Sequence, residues 1–310
     1  MRYILIILVF LSVGANAQMV IKAHPNYVPF VRANLLLDTY TGASGAYSLR
    51  KVRSAYTGAA IRVRKDTTGQ PEQDINFVGN ELDTASIKSF LNARSGFIVT
   101  WFDQSSNGRN ATQSIQANQP RIANLGVIDR VNGKVALFFD GSNDELRCDD
   151  LATTVTGEDK PFSIIGVCLK TNENTTGNLL AFGRSTSATP ILSVVGFVST
   201  GNDYGFQLRD DANGNTVTIG GTYLQNTQYL VSNYSTGLAH ELYSNNVSQI
   251  TQTYNRGTTT LNQATIGAFR RSTISNWWGG NIQEIIFYDS DKESDRTGIE
   301  GNVNTYYGIY

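Results

Sequence analysis

From about Val131 to Tyr288 the chain is a succession of short apolar runs, almost every one closed by Gly, Asn or Ser. "KVALFFDGSNDEL", "PFSIIGVCLK", "NLLAFGRS", "PILSVVGFVS", "YGFQLRD", "NTVTIGG", "QYLVSNYS", "HELYSNN", "QATIGAFRR" and "NIQEIIFYD" follow one another in this way. Each run has strand length and is rich in β-branched and aromatic residues, and the turn residues recur at regular spacing. Such a chain has few ways to bury its apolar faces, and the antiparallel β-sandwich is the main one. Within "DANGN" (Asp211 to Asn215) an Asn-Gly pair suits a type I′ hairpin.

The first part of the chain is more mixed. "HPNYVPF" reads as an extended lead, and Ala46 to Arg53 reads as a short helix that ends before Gly58. "AAIRVRK" alternates apolar and basic residues, which predicts a strand with Arg62 and Arg64 facing outward. With Arg50, Lys51, Arg53 and Lys65 these residues form a charge cluster, read as a solvated face or, less simply, an anion site. "LDTASIKSFLNARSG" is the clearest helix: Asp83 or Thr84 caps it, Ile87, Phe90 and Leu91 share a face, and Gly96 is placed to stop it. "FIVTWF" follows as a buried strand. At the other end, "DKESDRTGIEGNVNTYYGIY" predicts a short helix with Ile299 and Val303 on one side.

The extreme N-terminus, "MRYILIILVFLSVGANAQ", has Arg2, an apolar run from Ile4 to Val13, and small residues at Ala15 and Ala17. This is the pattern of a secretory signal peptide over residues 1–17, cleaved after Ala17. The run is too short for a membrane span, which takes about 20 apolar residues. The expected product is a secreted, cell-surface or periplasmic domain over 18–310, with an N-terminal elaboration (18–125) and a main sandwich (126–310). A net charge of −1 speaks against nucleic acid as a partner. Export makes a Cys148–Cys168 disulfide possible if their strands are neighbours, two buried thiols being the alternative. Zinc is disfavoured because His24 and His240 are remote from both cysteines. "DGSND" offers Asp140, Ser142 and Asp144 at calcium-loop spacing, a pattern that a turn explains equally well. Asn110, Asn174, Asn233 and Asn246 head glycosylation triplets.

Three stretches, "AYSLRKVRSAYTGAAIRVRK…EQDINFVGNELDT", "TWFDQSSNGRNATQ" and "NQPRI", resemble the catalytic domain of the α-L-arabinofuranosidase B family, glycoside hydrolase family 54. "ALFFDGSNDEL" and "GGNIQEIIFYDSDKESDRTGIEGNV" resemble laminin-G-like, concanavalin-A-like sandwiches. The resemblance implies an all-β, concanavalin-A-like antiparallel sandwich (a jelly roll) with short helices near both ends. It also implies two catalytic carboxylates about 5–5.5 Å apart in a retaining mechanism. The family's nucleophile, a Glu in Asp-x-Glu-Asn, falls on "YGFQLRDDANGN", where Asp210 and Asp211 stand and no Glu does. The family's acid/base, an Asp in Gly-Gly-Asp-Asn, falls on "ATIGAFRRSTISNWWGG", where Phe269, Arg270 or Arg271 stands instead. From Ala212 to Gln283 the one acidic residue is Glu241. The family's adjacent Cys-Cys pair is replaced by "NLLAFGRS".

The leading expectation is therefore non-catalytic or weakly catalytic recognition of an extracellular glycan, possibly arabinose-containing, without a cofactor. Its candidate ligand-binding residues are Trp277, Trp278, Arg270, Arg271, Tyr204 and Arg209. Indole faces stack on sugar rings and arginines bond hydroxyls or acidic groups, although either Trp could instead pack on the core. An active arabinofuranosidase would have to use Asp210 or Asp211 with Glu241 or Glu284. A structural or adhesive surface protein is the third reading. Asp103, in the most family-like stretch "WFDQSSNGRNATQ", is expected to accept backbone N–H groups of the turn, with Asn107-Gly108 turning the chain back.

Overall fold

Two-residue alternation divides this chain into layers. In the last strand, Ile285 and Phe287 enter the main apolar core, while Ile286 and Tyr288 join a second cluster on the opposite face. The structure, a computed structural model, describes residues 35–171, 176–189, 191–198, 203–212 and 215–310. The signal-peptide reading, the Pro-containing lead, His24, Asn174 and the Asn213-Gly214 turn lie outside the described residues. Among the described residues no helix is long and apolar enough to cross a membrane.

The N-terminal strands are short: β1 (Gly45–Ser48), β2 (Ile61–Lys65), β3 (Gly96–Trp101), β4 (Ala111–Thr112), β5 (Arg121–Asn124), β6 (Leu137–Asp140) and β7 (Leu146–Arg147). Longer strands follow: β8 (Phe162–Lys170), β9 (Gly177–Gly183), β10 (Ile191–Val198), β11 (Asp203–Arg209), β12 (Asn215–Thr222), β13 (Gln228–Ser235), β14 (Ala239–Ser244) and β15 (Val247–Thr253). β16 (Gln263–Ile266), a small hairpin of β17 (Phe269–Arg270) and β18 (Ile274–Ser275), and β19 (Gly279–Tyr288) follow, and further short strands such as Glu72–Ile75, paired with β2, flank these.

All pairings are antiparallel. The back layer runs β1–β19–β8–β13–β14–β15. The front layer runs β4–β7–β16–β9–β10–β11–β12. β2, β3, β5 and β6 link the two, through β3–β4 at one side and β6–β19 at the other. The main core, with Trp101, Phe139, Phe162, Phe182 and Phe287, fills the space between layers. The sandwich expected from the strand pattern is present.

The helices are short. α1 is a single turn (Leu36–Thr39). α2 (Thr84–Leu91) begins at Asp83, whose carboxylate accepts from Ser86 N, as the sequence predicts. It ends earlier than expected: Asn92 takes the left-handed conformation (φ 47°), and Gly96 instead starts β3. α3 (Arg296–Tyr307) buries Ile299 and Val303 on the outer face of the back layer and is closed by left-handed Gly308.

Two N-terminal expectations are corrected. Ala46–Arg53 is not helical: its first residues form β1, and long-range bonds hold the rest. Gln104, fully buried, donates to Ser48 O (2.9 Å) and Arg50 O (3.0 Å) and accepts from Val52 N (2.9 Å). Nor is the basic cluster uniformly solvated. Arg62 is open and pairs with Asp74, but Arg64 is buried over the Phe97 ring, and Arg50 is buried against Glu284. A third correction concerns Asn233, which is fully buried on β13 and inaccessible to a glycosylating enzyme.

Asp103 explains why the "WFDQSSNGRN" turn has its shape. It is buried, and its carboxylate accepts from Ala46 N (2.9 Å), Ser105 N (2.8 Å), Ser105 Oγ (2.7 Å) and Arg109 N (3.1 Å). The left-handed residues are Ser106 (φ 81°) and Gly108 (φ 72°) rather than the Asn107-Gly108 pair. Asp103→Asn keeps one acceptor oxygen and sets an NH₂ against donors, so it is expected to lower unfolding free energy by about 1–3 kcal/mol in urea titration. A loss below about 0.5 kcal/mol would deny the turn this anchor.

Candidate functional site

The outer surface of the front layer is where the sequence would place a sugar site. β-Sheet register aligns Thr112, Arg147, Thr265 and Ala181 in one cross-strand row. Their chain neighbours Leu146, Ala264, Ile266, Leu180 and Phe182 point into the core, so the row faces away from it. Much of this face is covered by the β17–β18 hairpin. Phe269 packs on Ala181. Arg270 Nε donates to Thr265 Oγ1 (3.2 Å), and its Nη2 pairs with the Asp149 carboxylate. A Cβ at Gly183 would stand 2.2 Å from Arg270 O, so glycine is what lets the hairpin lie directly on β9.

One end of the row stays open. It is a polar cleft of about 290 Å³ lined by Asn110, Thr112, Arg147, Asp149, Asp150 and Arg270. Arg147 is fixed by two bonds to Glu145 Oε1 (2.8 and 2.6 Å), and Glu145 is fully buried. Asp149 Oδ1 also accepts from Ala264 N (3.0 Å), which ties the cleft wall to β16. Asp150 is exposed. The cleft therefore alternates fixed cationic donors with anionic acceptors, an arrangement suited to neighbouring hydroxyl groups.

The residues expected from the sequence are dispersed. Arg270 lies on the cleft but is buried and already paired. Arg271 is half-buried, stacks on Phe269, and donates to Ala188 O (3.0 Å). Burial, and then the nearby positive charge of Arg209, hold its guanidinium below the usual arginine range. Trp277 is half-buried in the following loop. Trp278 is fully buried in the core, and Tyr204 is buried inward against Tyr229.

The candidate carboxylates do not converge. Asp211 accepts from Thr260 N (3.0 Å) and Thr260 Oγ1 (2.7 Å), and Asp210 lies against Gly257, so both brace the 257–260 loop. Glu241 is on β14 in the back layer and accepts from the Tyr243 hydroxyl. Glu284 is fully buried on the α3 side of the back layer. It accepts from Arg50 Nε (2.8 Å), Arg50 Nη2 (2.9 Å), Ser48 Oγ (2.7 Å) and Tyr307 Oη (3.2 Å).

The possible disulfide is not formed. Cys148 and Cys168 are free thiols, both buried in the main core. Burial pushes the Cys148 thiol up to about 12 and the Cys168 thiol further. In "DGSND" the side chains serve the turn: Asp140 Oδ1 accepts from Ser142 N and Asn143 N, and Asp144 Oδ2 from Asp140 N. No group of three His, Cys, Asp or Glu able to hold a metal occurs among the described residues. Asp149, Asp150 and Arg147, which line the cleft, were not singled out by the sequence. The alternation of charges in "ELRCDD" was the one local signal.

Comparison with solved structures finds the same sandwich in GH54 α-L-arabinofuranosidases. A mutant soaked with 4-nitrophenyl α-L-arabinofuranoside matches over 89% of this chain with a TM-score of 0.66 at 13% identity. An arabinofuranosidase complexed with arabinofuranosyl-α-1,2-xylobiose gives 0.62 at 15% identity, and one soaked with a cyclic sulfate inhibitor gives 0.59 at 14%. The fold is that of the GH54 domain. The chain spans about 65% of the length of these proteins. No family model and no curated protein matches the sequence.

Glu284→Gln removes the counter-charge of buried Arg50 while keeping the side-chain shape. It is expected to cost about 3–5 kcal/mol in chemical denaturation. Retention of full stability would show that Glu284 is not held for structure.

Proposed function

We propose that this protein is an exported carbohydrate-recognition domain that binds a glycan at the front-face cleft without cleaving it. The observation that carries this reading is the β17–β18 hairpin. It carries Phe269, Arg270 and Arg271, the residues that the sequence resemblance aligns with the family's acid/base, and it covers much of the front face. The other candidate carboxylates are committed to loops and to the back layer. What remains is a polar cleft of Arg and Asp groups, while Trp277 is half-buried in the loop that follows the hairpin. Such a surface suits hydroxyl recognition rather than proton transfer to a leaving group. The shared fold with arabinofuranosidases supports arabinose-containing polysaccharide as the ligand class.

The test pairs calorimetric binding of arabinan and arabinoxylan oligosaccharides with turnover of 4-nitrophenyl α-L-arabinofuranoside. Binding without turnover is expected. Asp150→Ala, at an exposed cleft position, is expected to weaken binding about tenfold or more, the worth of one charge-assisted hydrogen bond, with an unchanged melting temperature. Robust hydrolysis would sink the non-catalytic reading. Binding indifferent to Asp150 would move the site elsewhere.

A further inference from the structure

A second cleft lies away from the front-face cleft and shares no lining residue with it. Its floor follows sheet register. Arg64 on β2 stands opposite Phe97 on β3, Phe97 opposite Arg121 on β5, and Arg121 opposite Phe138 on β6. Cations and rings thus alternate across four strands. The Arg64 guanidinium lies 4.8 Å from the Phe97 centroid and that of Arg121 4.5 Å from Phe138. The edges of both guanidiniums are already bonded. Arg64 Nε donates to Gln119 Oε1 (2.6 Å), and Arg121 makes two bonds to Asp129 (2.8 and 3.0 Å). The Arg121 charge is answered by Asp129 and that of Arg64 more loosely by exposed Asp66 (3.7 Å), and both guanidiniums add planar, weakly hydrated surface to the rings.

Beside these residues is a space of about 400 Å³, also lined by Gln116, Ala117, Asp140 and Asp144. Asp140 is exposed and Asp144 is buried. A lining of rings and guanidiniums, with amide and carboxyl groups beside them and nearly balanced charge, does not suit a polyanion. It matches a neutral ring that presents C–H faces below and hydroxyls at its edge. We propose that this cleft is a second saccharide-binding site, stacking a neutral sugar on the Arg64–Phe97–Arg121–Phe138 floor and bonding it to Asp140 and Asp144. The proposal extends the glycan-binding reading above but rests on a different surface.

Protonation of Asp144 adds a signature. Burial first, and then the adjacent Asp140 charge, push this carboxyl up to about 7, opposed by Arg121 and by the Asp140 N–H. Arg64 and Asp66 are the other charges on the cleft. A neutral ligand that covers the cleft removes more water from Asp144 and further disfavours its ionised form. Ligand affinity should therefore be full below pH 7 and fall as pH rises through that value.

The experiment titrates full-length mature protein with xylohexaose and with arabinohexaose at pH 5.5 and 8.5 by calorimetry. Wild type is compared with Phe138→Ala, which opens the floor, with Ala117→Trp, which fills the cleft from its exposed rim, and with Asp150→Ala at the front cleft. The expected result is two sites on wild type. One is lost in both Phe138→Ala and Ala117→Trp, kept in Asp150→Ala, and about tenfold weaker at pH 8.5. Ala117→Trp deletes no packed group, so it decides the matter if Phe138→Ala unfolds. A single site lost only in Asp150→Ala would overturn this inference and leave the front-cleft reading intact. A single site lost only in Ala117→Trp would uphold it and overturn the front cleft. No binding of either probe would overturn both, and affinity equal at the two pH values would remove Asp144 from the site.

Discussion

The buried pair of Arg50 and Glu284 is the interaction on which the back half of this fold depends. Burying two charges is costly, and the cost is met only when each charge is fully bonded. Here the Glu284 carboxylate takes four donors, from Arg50, Ser48 and Tyr307, and Arg50 adds a bond to Asn302 Oδ1 (3.0 Å). Tyr306 and Tyr307 lie against the guanidinium at 4.9 and 5.7 Å. The partners come from the segment after β1, from β19 and from α3. One pair of charges therefore joins the two ends of the described chain across 234 residues. It also raises the affinity of Arg50 for its proton, so the cation persists at any working pH. A carboxylate fully buried and held by four donors sits away from solvent and substrate, which is why strand position alone was a poor guide to Glu284.

The front layer solves a different electrostatic problem. Arg270, Arg271 and Arg209 bring positive charge to one end of the sheet. Arg270 is answered by Asp149. Arg271 has a carbonyl, the Ala188 O, and a ring face, yet sits near Arg209 in a setting that disfavours its charge. Such a site resists further cations and favours acceptor groups. The hairpin that delivers these residues is compatible with the sandwich only because Gly183 leaves room beneath Arg270. Backbone geometry on β9 and side-chain chemistry on β17 thus form one unit, and a larger residue at position 183 would lift both arginines off the sheet.

The strand pattern was legible because alternation is a local property. The same holds for α2, whose Asp83 cap lies three residues from its donor, and for α3 with its Ile299 and Val303 stripe. Residues 46–53 failed for the opposite reason. Their helical spacing is local, but the bonds that decide their conformation come from Asp103 and Gln104, more than fifty residues away. Propensity yields to such pairing whenever the backbone groups are buried. Arg64 was misjudged because alternation assigns it the solvent side correctly, and only the loop carrying Gln116 and Gln119 then covers it. Arg270 and Arg271 were legible as an adjacent pair. Their direction was not, because Thr265, Asp149 and Ala188 fix it through the folded hairpin.

The two clefts follow from one feature of the topology. β3 pairs with β4, which leads into the front layer, and with β5, which leads through β6 to the back layer. Its outward residues therefore contribute to two surfaces: Thr100 aligns with Thr112 at the front cleft, and Phe97 belongs to the cation–aromatic floor. Between them Gln113 donates to Glu145 while its oxygen accepts from Ile115 N, and Gln119 donates to Gln113 O. This buried amide and carboxylate chain links the wall of one cleft, through Arg147, to the edge of the other, through Arg64. Polar chains of this kind lose stability wherever a buried group stays unbonded, as Glu145 Oε2 does. A change at Gln113 or Gln119 would therefore be felt on both surfaces, whereas changes at Asp150 or Ala117 stay on one.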